Sequence, residues 1–506
     1  MSTSPSDRGF TLAELLDGIV ATPLDAGLRD LRISGIHDDS RRVQPGGMFV
    51  ALRGSATDGA RFVSEAAARG AAVVLGEGAA EASAAPFIRV PDARGTLARL
   101  AARWHRLDDP ALPLRLVGVT GTNGKSTTAY MTAAILRAAG LRCGVLGTVQ
   151  YDLCSRAVRA EMTTPGPLEL GAHLRECADA GAAAAVMEVS SHALDQKRTD
   201  GLRFGAAAFT NLTQDHLDYH LTLDAYRAAK KRLFDGLGKD ACAVVNLDDA
   251  AHEAMISGTR ASVLTYSLDR HADLTARITR DTIGGTLYRM TLPGGHQLVL
   301  ENALVGRHNV YNALAAAGLA LALGVEPQQV ERGLSAVRNI PGRLQRVLAL
   351  PGVDVFVDYA HTDDALRNVL SVLRPLARQR LIALFGCGGD RDRGKRPRMA
   401  AAVARFADVI VVTSDNPRTE DPGAIINDIL AGFDDAARRK VMVESCRRSA
   451  IHAALAGARP GDVVLIAGKG HEDYQIIGRE KQHFDDVEVV LQAAAELNAA
   501  ASGARA

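Results

Sequence analysis

Cysteine is scarce. Six residues (Cys143, Cys154, Cys177, Cys242, Cys387 and Cys446) are scattered over 506, with no Cys-x-x-Cys pair, which argues against a disulfide framework or a cysteine-built zinc site and fits a reducing cytosol. Net charge is also missing: 59 Lys and Arg stand against 58 Asp and Glu, a formal +1. No basic field marks the chain for nucleic acid or an anionic membrane. The longest uncharged apolar run, 313–325, falls short of the ~20 residues a bilayer span needs and reads as a helix packed through small residues. The opening MSTSPSDRGF carries no apolar signal core. The expectation is a cytoplasmic protein with neither nucleic acid nor membrane as a partner.

What is present is length and alternation. At about 150 residues per domain the chain suggests roughly three. Apolar runs that end in glycine or polar clusters alternate with helical patterns. The strand candidates are 114–120, 184–191, 206–212, 353–361, 381–390, 408–416 and 462–470. Continuous apolar strands between helices predict an α/β fold with parallel sheets covered on both faces. Ligands gather beyond the carboxyl ends of such strands, and each run ends in residues able to do chemistry. DDPALPLRL (108–116) and NIPGR (339–343) divide the chain into 1–109, 110–339 and 340–506. The first few residues and the tail ASGARA are expected to lack order.

VGVTGTNGKSTTAY (117–130) resembles a phosphate loop but is spelled differently. The usual pattern sets a glycine six residues before Lys; Val119 stands there, and the glycines are Gly118, Gly121 and Gly124. The context is nevertheless strand, glycine turn, helix start, which gathers backbone N–H groups around one point. Lys125 can reach terminal phosphates and the Ser126 hydroxyl can ligate Mg²⁺. The alternative is a glycine turn that only packs a helix on a sheet.

Glu188 ends an apolar run, where a carboxylate is costly unless paired or bound to a cation. NLTQDHLDYH (211–220) adds Asp215, His216, Asp218 and His220, and AYRAAKKRLF (225–234) adds Lys230 and Lys231. Separately these read as a sheet-end salt bridge, a capping or core histidine and surface lysines. Together, after consecutive strands beside a phosphate loop, they suggest a Mg²⁺ site.

In this order TGTNGKST, MEVSSHALDQKR, NLTQDHLDYH and AAKKRLF resemble the Mur ligases, three-domain ATP-dependent enzymes that form amide bonds in peptidoglycan synthesis. The glycine spacing is that family's own. GRHNVYNALAA (306–316), PGRLQRV (341–347), VDYAHTDDAL (357–366), FGCGGDRDRGKRPRM (385–399), DNPRTEDP (415–422) and GKGHEDYQ (468–475) are similar to the branch that extends UDP-N-acetylmuramoyl-L-alanyl-D-glutamate. DDSRRVQPGGMFVAL (38–52) and TDGARFV (57–63) resemble its uridine-nucleotide domain. The resemblance implies a UDP-binding domain, a central P-loop-NTPase-like parallel sheet and a C-terminal Rossmann-like domain that binds the incoming amino acid.

It further implies that ATP converts the D-glutamyl side-chain carboxylate to an acyl phosphate, which an amine then attacks. Gly121, Thr122, Asn123, Gly124, Lys125, Ser126 and Thr127 would bind the phosphates, and Asn309, Arg343, Asp358 and His361 the rest of ATP. Mg²⁺ would be held through Ser126, Glu188, His216 and Lys230, the last as a carbamate formed with CO₂; Lys231 is the competing position. Ser34, Thr163, Thr164, Ser190, Gln196 and Arg198 would hold the UDP-muramoyl dipeptide. Arg391, Asp415, Asn416, Arg418, Gly468 and Glu472 would hold the amino acid. DNPR marks the branch adding meso-diaminopimelate: Arg418 suits its second carboxylate, and Asp415 with Glu472 its second ammonium. The chain departs from the family pattern at Asp363, where proline is usual, and at Arg393, where lysine is common. A monomer acting on small molecules is expected. The rivals are an L-lysine-adding enzyme, a folylpolyglutamate synthetase and a nucleotide-binding regulator without turnover.

Overall fold

The computed structural model describes residues 9–21, 23–54, 57–78 and 85–503. The expectation of disorder at the ends falls on 1–8 and 504–506, outside those residues, whereas 501–503 close the last helix, Asp486–Gly503. The chain forms two compact units with interleaved segments. One comprises Met1–Ala276, Thr291–Gln297 and Tyr311–Gly333, the other Arg277–Met290, Leu298–Val310 and Leu334–Ala506.

The first unit holds two sheets. A small parallel sheet orders Ile36–His37, Met48–Ala51, Val73–Gly76 and Phe87–Arg89 as they follow in sequence. Leu12, Leu15, Val50, Leu75, Leu97 and Leu100 cover one face, and Phe49, Val63 and Val74 fill the other. In the larger sheet Ser262–Ser267, Cys242–Asn246, Phe204–Phe209, Arg115–Thr120, Ala184–Glu188 and Cys143–Leu146 lie side by side, all parallel. Apart from Ser262–Ser267, these strands are buried along nearly their whole length, as an apolar parallel sheet covered on both faces requires. Register aligns their chemistry: Val119 pairs with Glu188, and Thr120 with Phe209. Whatever follows Thr120, Glu188 and Phe209 is therefore delivered to one edge.

Every expected strand of this set exists; 114–120 ends at Thr120 as read, and the other two stop early. The run 184–191 is a strand only to Glu188, and 206–212 only to Phe209. The polar ends belong to the loops beyond. The apolar run 313–325 lies largely in the helix Arg307–Ala322, where a Cβ on Gly318 would come 2.7 Å from Val244, so small residues do let it pack closely. Among the described residues no helix is long and apolar enough to cross a membrane.

The second unit is built on a six-stranded sheet ordered Gln345–Leu350, Val353–Asp358, Val463–Ala467, Leu381–Phe385, Val409–Val412 and Val441–Val443. The first pair is antiparallel and the rest parallel. Apolar clusters lie on both faces. A separate hairpin, Tyr474–Ile477 with Glu480–His483, follows the strand Val463–Ala467.

Candidate active site

The glycine loop follows directly from its strand. Gly121 has φ +151°, and a Cβ there would fall 1.8 Å from Thr210 Oγ1; at Gly124, φ +85°, it would fall 2.3 Å from Asn312 Oδ1. Only glycine fits both positions. Thr122 N–H donates to Asn211 O at 2.8 Å, and Asn123 N–H to Asn211 Oδ1 at 2.9 Å. The helix Lys125–Ala138 starts immediately, with Ser126 and Thr127 buried in its first turn. Lys125 folds back so that its Nζ donates to Gly121 O at 3.0 Å and Thr122 O at 2.8 Å.

A second lysine reaches the same carbonyl. Lys230 is 1% exposed, and its Nζ donates to Gly121 O at 2.8 Å while lying 4.3 Å above the Tyr226 ring. Burial, and then the Lys125 charge, drive its pKa well below the usual lysine range, against a smaller opposing pull from Asp215. Lys231 is ion-paired with Asp235 at the surface. Of the two lysines, only Lys230 is buried against the glycine loop. The signal was present in sequence: on the helix Leu223–Asp235 the buried positions are 226, 229, 230, 233 and 234, a helical stripe that includes 230 and excludes 231.

Glu188 is 1% exposed. Its Oε1 accepts from Thr148 N–H at 2.8 Å and its Oε2 from Thr148 Oγ1 at 3.0 Å. Thr148 Oγ1 lies 3.1 Å from Thr163 Oγ1, so one threonine links the carboxylate to a residue expected to hold substrate. Sequence reading missed Thr148, since nothing near it in the chain signals Glu188. His216 is half-buried with φ +53°, stacked edge-on against His192 at 4.8 Å and 3.5 Å from Asp215. Burial lowers its pKa, aided by His192, Lys125 and Lys230 and opposed by Asp215. A neutral imidazole is the metal-ligating form.

Next to this edge, Thr164 Oγ1 donates to Glu188 O at 2.8 Å and accepts from Ser190 N–H at 3.1 Å. Ser190 caps the helix Ser191–Asp195. Arg198 donates to Thr164 O at 2.7 Å and to Gln196 Oε1 at 2.8 Å. Burial lowers its pKa, and no carboxylate among the described residues lies within ion-pair distance of it. Thr163, Thr164, Ser190, Gln196 and Arg198 therefore form one group with Glu188. Ser34 stands apart from them, its hydroxyl donating to Pro45 O at 2.9 Å in the small sheet's loops.

In the second unit Asp358 is buried at a strand end, accepting from Leu344 N–H at 2.6 Å and Ala360 N–H at 2.8 Å. Burial raises its pKa despite these donors and Arg343. The Arg343 guanidinium lies 5.2 Å over Tyr359, and the His361 ring packs 4.6 Å from that tyrosine. Asn309 is buried, with Nδ2 donating to Val305 O at 2.8 Å.

At the neighbouring strand ends, Arg418 has φ +51° and is locked by the hairpin: its N–H donates to Ile476 O at 3.1 Å and its carbonyl accepts from Gly478 N–H at 2.8 Å. Its Nη1 donates to Gly389 O at 2.8 Å; among the described residues it has no carboxylate partner. Arg391 is exposed, with its stem beside Gly388, as is the tip of Arg418. Asn416 Nδ2 donates to Glu472 Oε2 at 2.9 Å. Gly468, φ +117°, leaves room for Asp415, whose Oδ2 would lie 3.0 Å from a Cβ. Lys469, which sequence reading passed over, is buried among Asp415, Asn416 and Glu472. Asp363 opens the helix Asp363–Leu373 and pairs with Arg367, while Arg393 pairs with Asp428.

Comparison with known proteins agrees with this layout. Residues 32–105 match the Mur ligase family, catalytic domain; 119–320 the Mur ligase middle domain; and 342–470 the Mur ligase, glutamate ligase domain. The chain is 43% identical, over 96% of its length and 98% of the relative's, to a UDP-N-acetylmuramoyl-L-alanyl-D-glutamate--2,6-diaminopimelate ligase of Geobacter metallireducens. It is 46% identical to the protein so named from Gloeobacter violaceus, over 94% and 96%. A solved structure of such a ligase superposes with a TM-score of 0.71 at 35% identity, covering 97% of this chain and all of that one (100%). With the family's three segments matched in order along the chain, and relatives 43% and 46% identical over nearly all of it, the protein belongs to the Mur ligase family.

Proposed function

We propose that this enzyme joins meso-diaminopimelate to UDP-N-acetylmuramoyl-L-alanyl-D-glutamate, with ATP converted to ADP and phosphate. A substrate carboxylate oxygen attacks the γ-phosphorus and ADP leaves. The amine then attacks the acyl carbon, and phosphate leaves as the amide forms. A carboxylate and a triphosphate repel each other, so fixed cations must bring them together. Lys125 at the helix start supplies one. Arg198, set among Thr163, Thr164, Ser190 and Gln196, supplies another for the UDP-muramoyl dipeptide, with Ser34 a further contact. Arg343, Asp358 and His361, grouped around Tyr359, are assigned with Asn309 to the remainder of ATP.

The donor set suits Mg²⁺. Among the described residues no three His, Cys, Asp or Glu side chains form a ready cage, and Mg²⁺ needs none, since it keeps waters and takes one or two carboxylates plus phosphates. Glu188 retains acceptor capacity beyond its two bonds to Thr148. Ser126, Glu188, His216 and a carbamylated Lys230 would hold the ion, which would withdraw charge from the phosphate oxygens. The neutral amine of Lys230 adds to CO₂ with loss of a proton, giving an anion in place of a cation. Its burial beside Lys125 favours this chemistry.

The observation that carries the choice of amino acid is Arg418, a guanidinium held by the backbone carbonyls of Gly389 and Asn416 alone. It suits a second carboxylate, which diaminopimelate has and lysine lacks. Incubation with Mg-ATP, bicarbonate and the UDP-muramoyl dipeptide, offering meso-diaminopimelate and L-lysine separately, tests the reading by product mass and phosphate release. Tripeptide from diaminopimelate alone is expected. A lysine product would overturn the specificity, and no product with either would overturn the activity.

A further inference from the structure

Lys469 is given no role in the reaction above, yet it is fully enclosed among Asp415, Asn416 and Glu472, three of the residues assigned to the amino acid. It follows the strand Val463–Ala467, with 0% side-chain exposure. Its ammonium lies 3.4 Å from Asp415 Oδ1, 3.1 Å from Asn416 Oδ1 and 3.5 Å from Glu472 Oε2. Burial would raise the Asp415 pKa, but the Lys469 and Arg447 charges outweigh it and hold it below the usual range.

Two consequences follow from elementary chemistry. First, the Asn416 amide is oriented. Its oxygen accepts from Lys469 and, at 3.0 Å, from Ile476 N–H, so its NH₂ must face Glu472. Second, the local charge is set. Asp415 and Glu472 contribute two negative charges and Lys469 one positive, leaving one net negative charge to set against Arg418; Arg447 is balanced by its pair with Asp486, and Arg391 is exposed and screened by water. One charge of each sign complements the zwitterionic end of an α-amino acid. Without Lys469 the same pocket would present two negative charges, which suits an ammonium on its own.

We propose that Lys469 is a specificity-determining positioning residue: by offsetting one of two carboxylates and orienting Asn416, it tunes the pocket to an amino-acid end carrying both ammonium and carboxylate, against one carrying ammonium alone. It acts through Asp415, Asn416 and Glu472 rather than on the substrate. This rests on the proposed function.

The test compares full-length wild type, Lys469→Met, Lys469→Arg and the double variant Lys469→Met/Asp415→Asn, which restores the charge count. For each, kcat and KM are measured with meso-diaminopimelate and L-lysine, alongside KM for ATP and the UDP-muramoyl dipeptide. In Lys469→Met the diaminopimelate-over-lysine preference should fall about 30-fold or more, mainly through KM for diaminopimelate. KM for ATP and the UDP-muramoyl dipeptide should stay within about twofold, as they depend on no charge at this pocket. Lys469→Arg should keep most of the preference, and the double variant should regain part of it. Equal losses for both amines, or an ATP KM that moves with them, would overturn the proposal. If Lys469→Met does not fold, the double variant and Lys469→Arg decide by the same ratio. Wild type that makes nothing from diaminopimelate would sink the function and this inference together; wild-type preference unchanged in the variants would sink this inference alone.

Discussion

Lys230 and Lys469 are the same residue under nearly the same burial, each just past the carboxyl edge of a parallel sheet. Their surroundings differ. Lys230 meets a backbone carbonyl, a tyrosine face and the charge of Lys125. Lys469 meets two carboxylates and an amide oxygen. Removing an ammonium from water is unfavourable in both places. Where no carboxylate pairs with it and only the weaker pull of Asp215 opposes, the cheaper course is to release the proton, which leaves a nucleophilic amine. Where two compensate, the ammonium becomes a fixed part of the electrostatic frame. Partners, not burial, decide whether a buried lysine reacts or organises.

The largest expected effect strikes the first of these. Lys230→Met should lower kcat by about 10³-fold, with partial recovery when a small carboxylic acid is added, whereas Lys231→Met should change it less than about threefold. Phosphate release under saturating substrates reads both. Equal losses in the two variants would erase the distinction between a reactive and a surface lysine. The same comparison has a pH signature. Because the folded pKa of Lys230 is depressed, its amine is neutral above that value and re-protonates as pH falls through it. Turnover should therefore drop on the acid side, and added bicarbonate should raise it most there. A bicarbonate-independent profile would contradict the carbamate.

Arg418→Ala addresses the second region. The preference for diaminopimelate over lysine should shrink by about 10²-fold, because an obligatory charged partner is lost. Competition between the two amines at fixed ATP measures it, and retention of the wild-type preference would refute the role given to Arg418. A smaller effect belongs to Thr148→Val, which keeps the backbone donor to Glu188 but removes the hydroxyl. A decrease in kcat of about 10-fold is expected, with Thr148→Ser close to wild type; equal losses in both would make the contact one of packing.

The smallest is Asp363→Pro. Asp363 is the first residue of its helix and follows an extended Thr362 with φ −129° and ψ 159°, a setting that accepts proline. Stability should change by no more than about 0.5 kcal/mol by thermal or urea unfolding, since the lost Arg367 pair is a partly exposed i,i+4 pair of little worth. A large loss would mean that the aspartate has a task at this loop.

Much of the candidate site was legible as local pattern. The glycine loop is recognisable because a strand, two glycines with positive φ and a helix start must be adjacent in sequence to function. The acids and histidine after the next two strands were legible because parallel register brings strand ends together. Most strand runs were read a few residues too long, since the polar and glycine residues that end them belong to the loops beyond the sheet. Lys230 could have been separated from Lys231 by the stripe at 226, 229, 230, 233 and 234. No such signal marked Thr148, 40 residues from Glu188.

By itself the sequence determined the alternation of strands and helices, the phosphate loop and the order of the family's motifs, because each is written in neighbouring residues. Only the tertiary structure decided which buried charges are compensated. It placed Thr148 on Glu188, Lys125 beside Lys230, and Lys469 among Asp415, Asn416 and Glu472. Those contacts join residues far apart in sequence, and the energy of a charge in a protein interior depends on what stands within a few ångströms of it, whatever its distance along the chain.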